Sequence, residues 1–117
     1  MYKRQGQAQR VPDLFTEDAV LKAGPELVGR AAISNAMTAR AANTARRTVH
    51  LMHNVQFTEI SQEAATAVSI LLLFVLGEDE APLTPAAIAR CQDRFVRLAD
   101  GDWRIQNRSI AMLAGRG

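Results

Sequence analysis

A single cysteine, Cys91, excludes an intrachain disulfide and points to no oxidising compartment, so a cytoplasmic location is the default expectation. Aromatic residues are only 5% of the 117 positions and most sit in apolar runs, so exposed rings for stacking bases are in short supply. The charge balance, 14 Lys and Arg against 12 Asp and Glu, leaves a formal +2 with the arginines scattered through the chain. No basic block stands out, and nucleic acid is not an expected partner. The longest apolar run, AATAVSILLLFVLG from Ala64 to Gly77, is broken by Thr66 and Ser69 and falls short of the ~20 residues of a membrane-spanning helix. It reads as a buried strand, and no membrane partner is expected. The N-terminus has neither the apolar core nor the cleavage pattern of a signal peptide. There is no glycine-rich phosphate loop, no Cys/His ligand spacing and no Ser-His-Asp order, so no metal and no other cofactor is expected.

The length suits one domain with a real core and is too short for two. MYKRQ differs in character from the rest of the chain, and YKRQ resembles the translated end of a transposase adapter. Residues 1–5 are therefore expected to be a non-native leader, the other reading being a short basic disordered start. Residues 6–117 are then expected to form the single domain.

VPDLFTEDAV, with Pro12 at a first turn and acids nearby, suits a short helix that ends before a strand over Ala19 to Ala23. Glu17 and Asp18 are adjacent, and capping or solvation explains them better than paired catalytic carboxylates. GPELVG reads as a loop. From Arg30 to about Thr44, Ile33, Ala36, Met37, Arg40 and Ala41 recur at spacings of three and four, which predicts an amphipathic helix with Ile33 and Met37 facing the core. The period then changes to strands: RTVHLMHNVQFTEI, the continuously apolar AATAVSILLLFVLG, AAIARCQDRFVRLA and WRIQNRSIAML, separated by SQE, EDEAPLTP and DGD. The pattern predicts an α+β domain built on an antiparallel meander. A strand apolar on both faces must be covered on both, by the helix layer and by a second subunit.

RRTVHLMHN holds both histidines, His50 and His53, at an offset of three. Alternate strand side chains point to opposite faces, so the two cannot readily share a metal. Alternation groups His50 with Thr48, Met52, Asn54 and Gln56, and His53 with Val49, Leu51, Val55 and Phe57. His53 is read as packing. If Gln62 and Glu63 form a two-residue hairpin loop, His50 pairs with Val75, and Leu71, Leu73 and Val75 join its face. His50 is either a pocket base or a strand histidine satisfied by Asn54 or a backbone carbonyl. Burial among apolar walls without a carboxylate predicts that it titrates below its ordinary value and is neutral at pH 7.

The order DLFTEDAV, GRAAI, RTVHLMHN and RCQDRFVRLADGDWRIQNR resembles the SnoaL-like branch of the nuclear-transport-factor-2-like superfamily, over about Val11 to Met112. The C-terminal block is the most specific part: an Asp-x-Phe-Val-Arg strand, an Asp-Gly turn and a Trp-Arg-Ile-x-x-Arg strand. The resemblance implies a cone-shaped curved antiparallel sheet packed on helices, a cystatin-like or SnoaL-like barrel, here lacking most of its first helix. Members include polyketide cyclases, dehydratases, ketosteroid isomerases, dioxygenase β-subunits and non-catalytic binders. In the dehydratase-like members an Arg-x-x-His at this strand places the imidazole in the cone as general acid or base, and Arg47, Thr48, Val49 and His50 match it. Imidazole suits that task because its ordinary pKa of ~6.5 makes both protonation states accessible near neutrality. The Tyr-Asp pair those members carry on the first helix has no counterpart here, and the following strand offers Leu72, Leu73, Phe74 and Val75 in place of a second proton-transferring residue.

The expected site is thus an apolar pocket for a small hydrophobic molecule, cyclic or aromatic, with His50 as the one catalytic residue. Its expected walls are Phe15, Met37, Met52, Asn54, Leu71, Leu73, Val75, Cys91, Asp93 and Trp103. Asp93 and Arg108, on adjacent predicted strands, either pair to close the sheet or line the mouth. Trp103 suits the core as well as a ligand wall, and Cys91 is read as a small hydrophobe and not a nucleophile. The alternative function is a non-catalytic ligand binder or a dioxygenase-β-subunit-like oligomerisation module. Either way a homodimer, or a trimer, is expected through the convex sheet face.

Overall fold

The structure, a computed structural model, describes residues 13–42, 47–76 and 84–115. Residues 1–5, Pro12, the far end of the expected helix beyond 42 and much of the EDEAPLTP segment lie outside them. The elements run β1 (Phe15–Lys22), β2 (Glu26–Val28), α1 (Arg30–Ala42), β3 (Arg47–Ile60), β4 (Ala64–Leu76), β5 (Ala87–Arg97) and β6 (Trp103–Gly115). The six strands form one sheet in the order β2-β1-β6-β5-β4-β3. The fold is α+β with a curved sheet, as the sequence predicts, and the described residues hold one helix. The sheet is mixed, not wholly antiparallel: β3 to β6 form the antiparallel meander, while β1 joins β6 in parallel.

The strand limits follow the local chemistry. Between β5 and β6 the Asp100 side chain accepts from the Asp102 amide at 2.9 Å, and Gly101 takes φ 93°, a conformation that favours glycine. Ser61 closes the β3–β4 turn, its amide donating to the Ala64 carbonyl at 2.8 Å and its Oγ accepting from the Ala64 amide at 3.1 Å. Gly29, at φ 91°, turns the chain into α1, and its carbonyl accepts the Ile33 amide.

Two expectations at the N-terminal end are corrected. The stretch read as a short helix is strand from Phe15, and GPELVG contains β2, which pairs with β1 through Leu21 opposite Leu27. The helical reading rested on Pro12 and the nearby acids, and the strand is irregular there: Phe15 pairs with Ile105, and the next pair is Val20 with Asn107, so β1 carries extra residues. Phe15 and Ala19, four apart, are both buried, which mimics a helical period. Glu17 and Asp18 lie exposed on this irregularity. Glu17 meets Arg30 at 3.3 Å and Asp18 accepts from the Thr16 hydroxyl at 2.7 Å. These contacts are solvated and contribute little to stability.

The core is Phe15, Ala19, Leu21, Ile33 and Ile105, flanked by Leu27, Met37 and Phe95. Helix α1 packs on β1 and β2 and leaves much of the meander uncovered. Along β4, Ala65, Ala67, Ser69 and Leu73 are buried on the inner face. On the outer face Val68, Ile70, Leu72 and Phe74 are half-buried, and Val49 and Leu51 of β3 are exposed.

Candidate functional site

The geometry of the site is set by register along β3 and β4. His50 lies opposite Leu73, not Val75, and Met52 lies opposite Leu71. The hairpin starts in the expected register, since Ile60 faces Ala65, but two single-residue shifts along β3 move it by two by the time His50 is reached. Two one-residue shifts restore the face on β4, so His50 still shares a face with Leu71 and Leu73. The expected alternation along β3 itself is corrected. A bulge between His53 and Gln56 includes Asn54 at φ 52°, a left-handed conformation that asparagine tolerates better than most residues. Beyond it Phe57, opposite inward Ala67, shares the His50 face, and Gln56 goes to the other.

That face and α1 enclose a cavity of about 170 Å³ lined by Phe15, Leu21, Ala23, Met37, Arg40, Thr48, His50, Met52, Leu71, Arg108 and Ile110. Of the expected site residues, Phe15, Met37, His50, Met52 and Leu71 meet here. Asn54 is exposed at the bulge, and Val75 is 42% exposed. Leu73, Cys91 and Asp93 are buried behind the wall. Trp103 stands apart, 43% exposed, in a second and wholly apolar concavity of about 370 Å³ with Phe57, Ile60, Ala65 and Phe95. Reading it as core is therefore corrected. Phe57 and Phe95 meet there in a tilted pair with centroids 6.5 Å apart.

The polar equipment of the first cavity comes from three elements. Arg40, in the last turn of α1, places Nη2 3.3 Å from His50 Nε2 and donates to Thr48 Oγ1 at 3.4 Å. Asp93 and Arg108 face one another across β5 and β6. Arg108 Nε donates to Oδ1 at 2.7 Å and Nη2 to Oδ2 at 3.1 Å, with side-chain exposures of 3% for Asp93 and 12% for Arg108. Both sequence readings of this pair therefore meet in one arrangement: it is a buried two-point ion pair, and its arginine also lines the cavity. Arg40 was not anticipated as a site residue. The signal was available, since an arginine three positions beyond Met37 lies on the apolar stripe of the helix.

Burial is the main reason the Cys91 thiol is pushed up from 9.0 to about 11; the Asp93 carboxylate beside it acts in the same sense and Arg108 against it. The folded state thus favours the thiol. The stability this contributes is fully present below pH 9 and is lost as pH rises from 9 to about 11, where only the unfolded chain readily ionises. At pH 8 the native protein should leave a thiol reagent such as dithionitrobenzoate unconsumed, while the denaturant-unfolded chain reacts at once. Rapid labelling of the native form would overturn the buried-thiol assignment.

Among the described residues, no helix is long and apolar enough to cross a membrane, and no group of three or more His, Cys, Asp and Glu is placed to hold a metal ion.

The SnoaL-like domain family model matches residues 4–109. No curated protein sequence matches the chain. Among solved structures, it is similar to an NTF2-like protein with a cystatin-like fold from Novosphingobium aromaticivorans, at 24% identity and a TM-score of 0.77 over 96% of this chain and 73% of that one. A provisionally named scytalone dehydratase from the same organism matches at 21% identity and a TM-score of 0.77, over 93% of this chain and 72% of that one. A Catenulispora acidiphila protein in complex with S-DNPA matches at 24% identity and a TM-score of 0.76, over 92% of this chain and 79% of that one. At these identities the structural likenesses establish the fold.

Proposed function

The chain belongs to the SnoaL-like domain family, and from that premise we propose that its cavity binds a small cyclic or aromatic molecule on which His50 performs acid-base chemistry of the dehydratase or isomerase kind. The observation that carries this reading is the place of His50. It is the titratable imidazole in a mostly apolar wall that includes Phe15, Met37, Met52, Leu71 and Ile110, with Thr48 and two arginines as its other polar residues. A cavity of about 150 Å³ lined by apolar side chains is known to hold benzene, so one ring fits here and a larger substituent leaves through the open side. In a dehydration the imidazole takes the proton from the carbon beside a carbonyl. It then returns that proton to the hydroxyl leaving the neighbouring carbon as water, so one side chain serves as base and then acid. The scytalone dehydratase name of one relative supports this class of chemistry, and the S-DNPA complex of another supports the binding of a small molecule.

The methionines provide the test. Met37 and Met52 line the cavity and Met112 does not. With methyl-labelled methionine, benzyl alcohol should give saturable shifts at Met37 and Met52 and leave Met112 unmoved. Turnover of a β-hydroxy carbonyl compound should fall about 10²- to 10⁴-fold in His50→Gln, the usual range for a lost acid-base group, with the methyl shifts retained. Shifts confined to Met112, or turnover unchanged in His50→Gln, would sink the proposal.

A second reading, a non-catalytic binder or dioxygenase-β-subunit-like oligomerisation module, is favoured by the outer face of the sheet. Val68, Ile70, Leu72 and Phe74 with Val49 and Leu51 form an apolar surface that single-chain packing leaves partly open. The proposed partner is a second copy, as a dimer or within a trimer, and this holds for the enzyme reading too. Sedimentation at tens of micromolar should give at least twice the 12.8 kDa chain mass, and Leu51→Lys should return it to the monomer. A monomer throughout would refute the interface.

A further inference from the structure

The two edges of the sheet are unlike. At one end β2 is only three residues long, Glu26–Val28, too short to template another strand. At the other end β3 runs for 14 residues, with β4 along one side and, among the described residues, no strand along the other. Val55, Phe57 and Ile60 on it are each more than half exposed, and Val49 and Leu51 somewhat less. A long straight strand of this kind, with a row of unpaired amides and carbonyls, is a template for pairing with another chain.

β3 is not straight, and its irregularities fall where it is most open. Between His53 and Gln56 two residues, Asn54 and Val55, stand against Ser69 alone, and Asn54 at φ 52° is the left-handed residue that one class of bulge requires. Between Phe57 and Glu59 the strand gains Thr58, while β4 passes directly from Ala67 to Thr66. Thr58 Oγ1 donates to the Thr66 carbonyl at 3.4 Å and lies 2.6 Å from the Thr66 hydroxyl, which pins this second bulge. The stretch they interrupt ends in VQFTEI, Val55 to Ile60, which has β-forming side chains, a single charge and neither proline nor glycine. That is the composition of a self-pairing segment.

We infer that the Asn54 bulge guards this edge: it twists the Val55–Ile60 half out of line with Arg47–His53, so that a second copy of the chain cannot ladder along β3. A bulge strengthens the local twist and leaves its extra residue outside the ladder, so a strand paired on one side of it is out of register on the other. The occupant kept away is a second copy, because β3 can meet itself antiparallel about a twofold axis with each chain presenting the same edge. The inference concerns the strand edge alone. It stands apart from the chemistry of the cavity and from contact between copies through the outer face.

Deleting Asn54 tests it without turning any side chain over. One residue then stands opposite Ser69, Met52 and Phe57 keep the inner face, Gln56 keeps the outer one, and pairing with β4 becomes regular from Arg47 to Phe57. Asn54→Gly retains the left-handed conformation at no steric cost and is the control. Asn54→Val, whose branched side chain opposes that conformation, is a second route to a straighter edge. Sedimentation velocity of the full chain, from micromolar to hundreds of micromolar, should find wild type and Asn54→Gly alike. The deletion should instead form species of at least twice the wild-type mass that dissociate on dilution, with amide hydrogen exchange along Val55–Ile60 slowing as concentration rises. Circular dichroism reports whether each variant is folded, and if the deletion is not, the same readouts are taken from Asn54→Val. A folded variant that sediments as wild type overturns the inference, as does association that leaves exchange along Val55–Ile60 fast. Association of Asn54→Gly to the same extent as the deletion also overturns it, because the bulge is then present and guards nothing.

Discussion

Asp93→Leu is expected to cost about 3–5 kcal/mol of folding stability, the range for removing one member of a buried ion pair. The carboxylate is 3% exposed and satisfies two donors of Arg108, itself only 12% exposed, so the substitution removes the counter-charge of a mostly buried guanidinium that lines the cavity. The loss comes from the orphaned charge more than from the missing attraction. The double variant Asp93→Leu/Arg108→Met should therefore recover most of it, because two apolar side chains of similar volume replace the pair without leaving a charge behind. Urea unfolding followed by Trp103 fluorescence and far-ultraviolet circular dichroism measures both variants. Equal losses in the single and double variants would mean that the pair is held by its own attraction and not by the need to neutralise a buried cation.

Phe15→Ala should be of similar size, about 3–5 kcal/mol, as expected when a fully buried phenylalanine leaves a void that its neighbours only partly fill. Phe15 is 1% exposed and is a large side chain of the core formed with Ala19, Leu21, Ile33 and Ile105. It also lines the ligand cavity, so core and binding wall share one ring. Phe15→Leu keeps most of the volume and should lose less than about 1.5 kcal/mol. Unfolding curves for the pair, with Met37 methyl shifts as a local reporter, check both statements. A loss below about 1 kcal/mol in Phe15→Ala would show that the ring is not held as the structure has it.

The elements legible in the sequence were those with an unbroken period. The meander declared itself by alternation in RTVHLMHNVQFTEI and AAIARCQDRFVRLA, by the continuously apolar run between them and by the SQE and DGD turns, and α1 by the three-and-four spacing of Ile33 and Met37. Where backbone irregularity intervenes, the pattern misleads. Pro12 and the acids of VPDLFTEDAV suggested a helix where β1 is irregular, and β2, three residues long, is too short to show any period. The bulge at Asn54 is invisible to an alternation rule, so Phe57 was assigned to the wrong face. In the site, His50, Met37, Met52 and Leu71 could be brought together by register and face alone. Arg40 shares the apolar stripe of α1 with Met37, a signal that spacing gives, but its reach to His50 on β3 depends on how the helix lies across the sheet, which no local spacing encodes. Asp93 and Arg108 were found together because they oppose one another on adjacent strands, the one kind of long-range contact that a hairpin makes readable.

The parallel joint between β1 and β6 also bears on the order in which the molecule assembles. The meander can zip from turn to turn, each pairing closing only a short loop, whereas Phe15 and Ile105 stand 90 residues apart and must meet across almost the whole chain. Closing a long loop costs more chain entropy and waits until other contacts have shortened it. The half of the cavity supplied by β1 and α1, with Phe15, Leu21, Met37 and Arg40, therefore comes to rest against a meander already carrying His50, Met52 and Leu71. A ligand held between these two halves acts as a clasp, restraining the segment that docks last and is the first to come away.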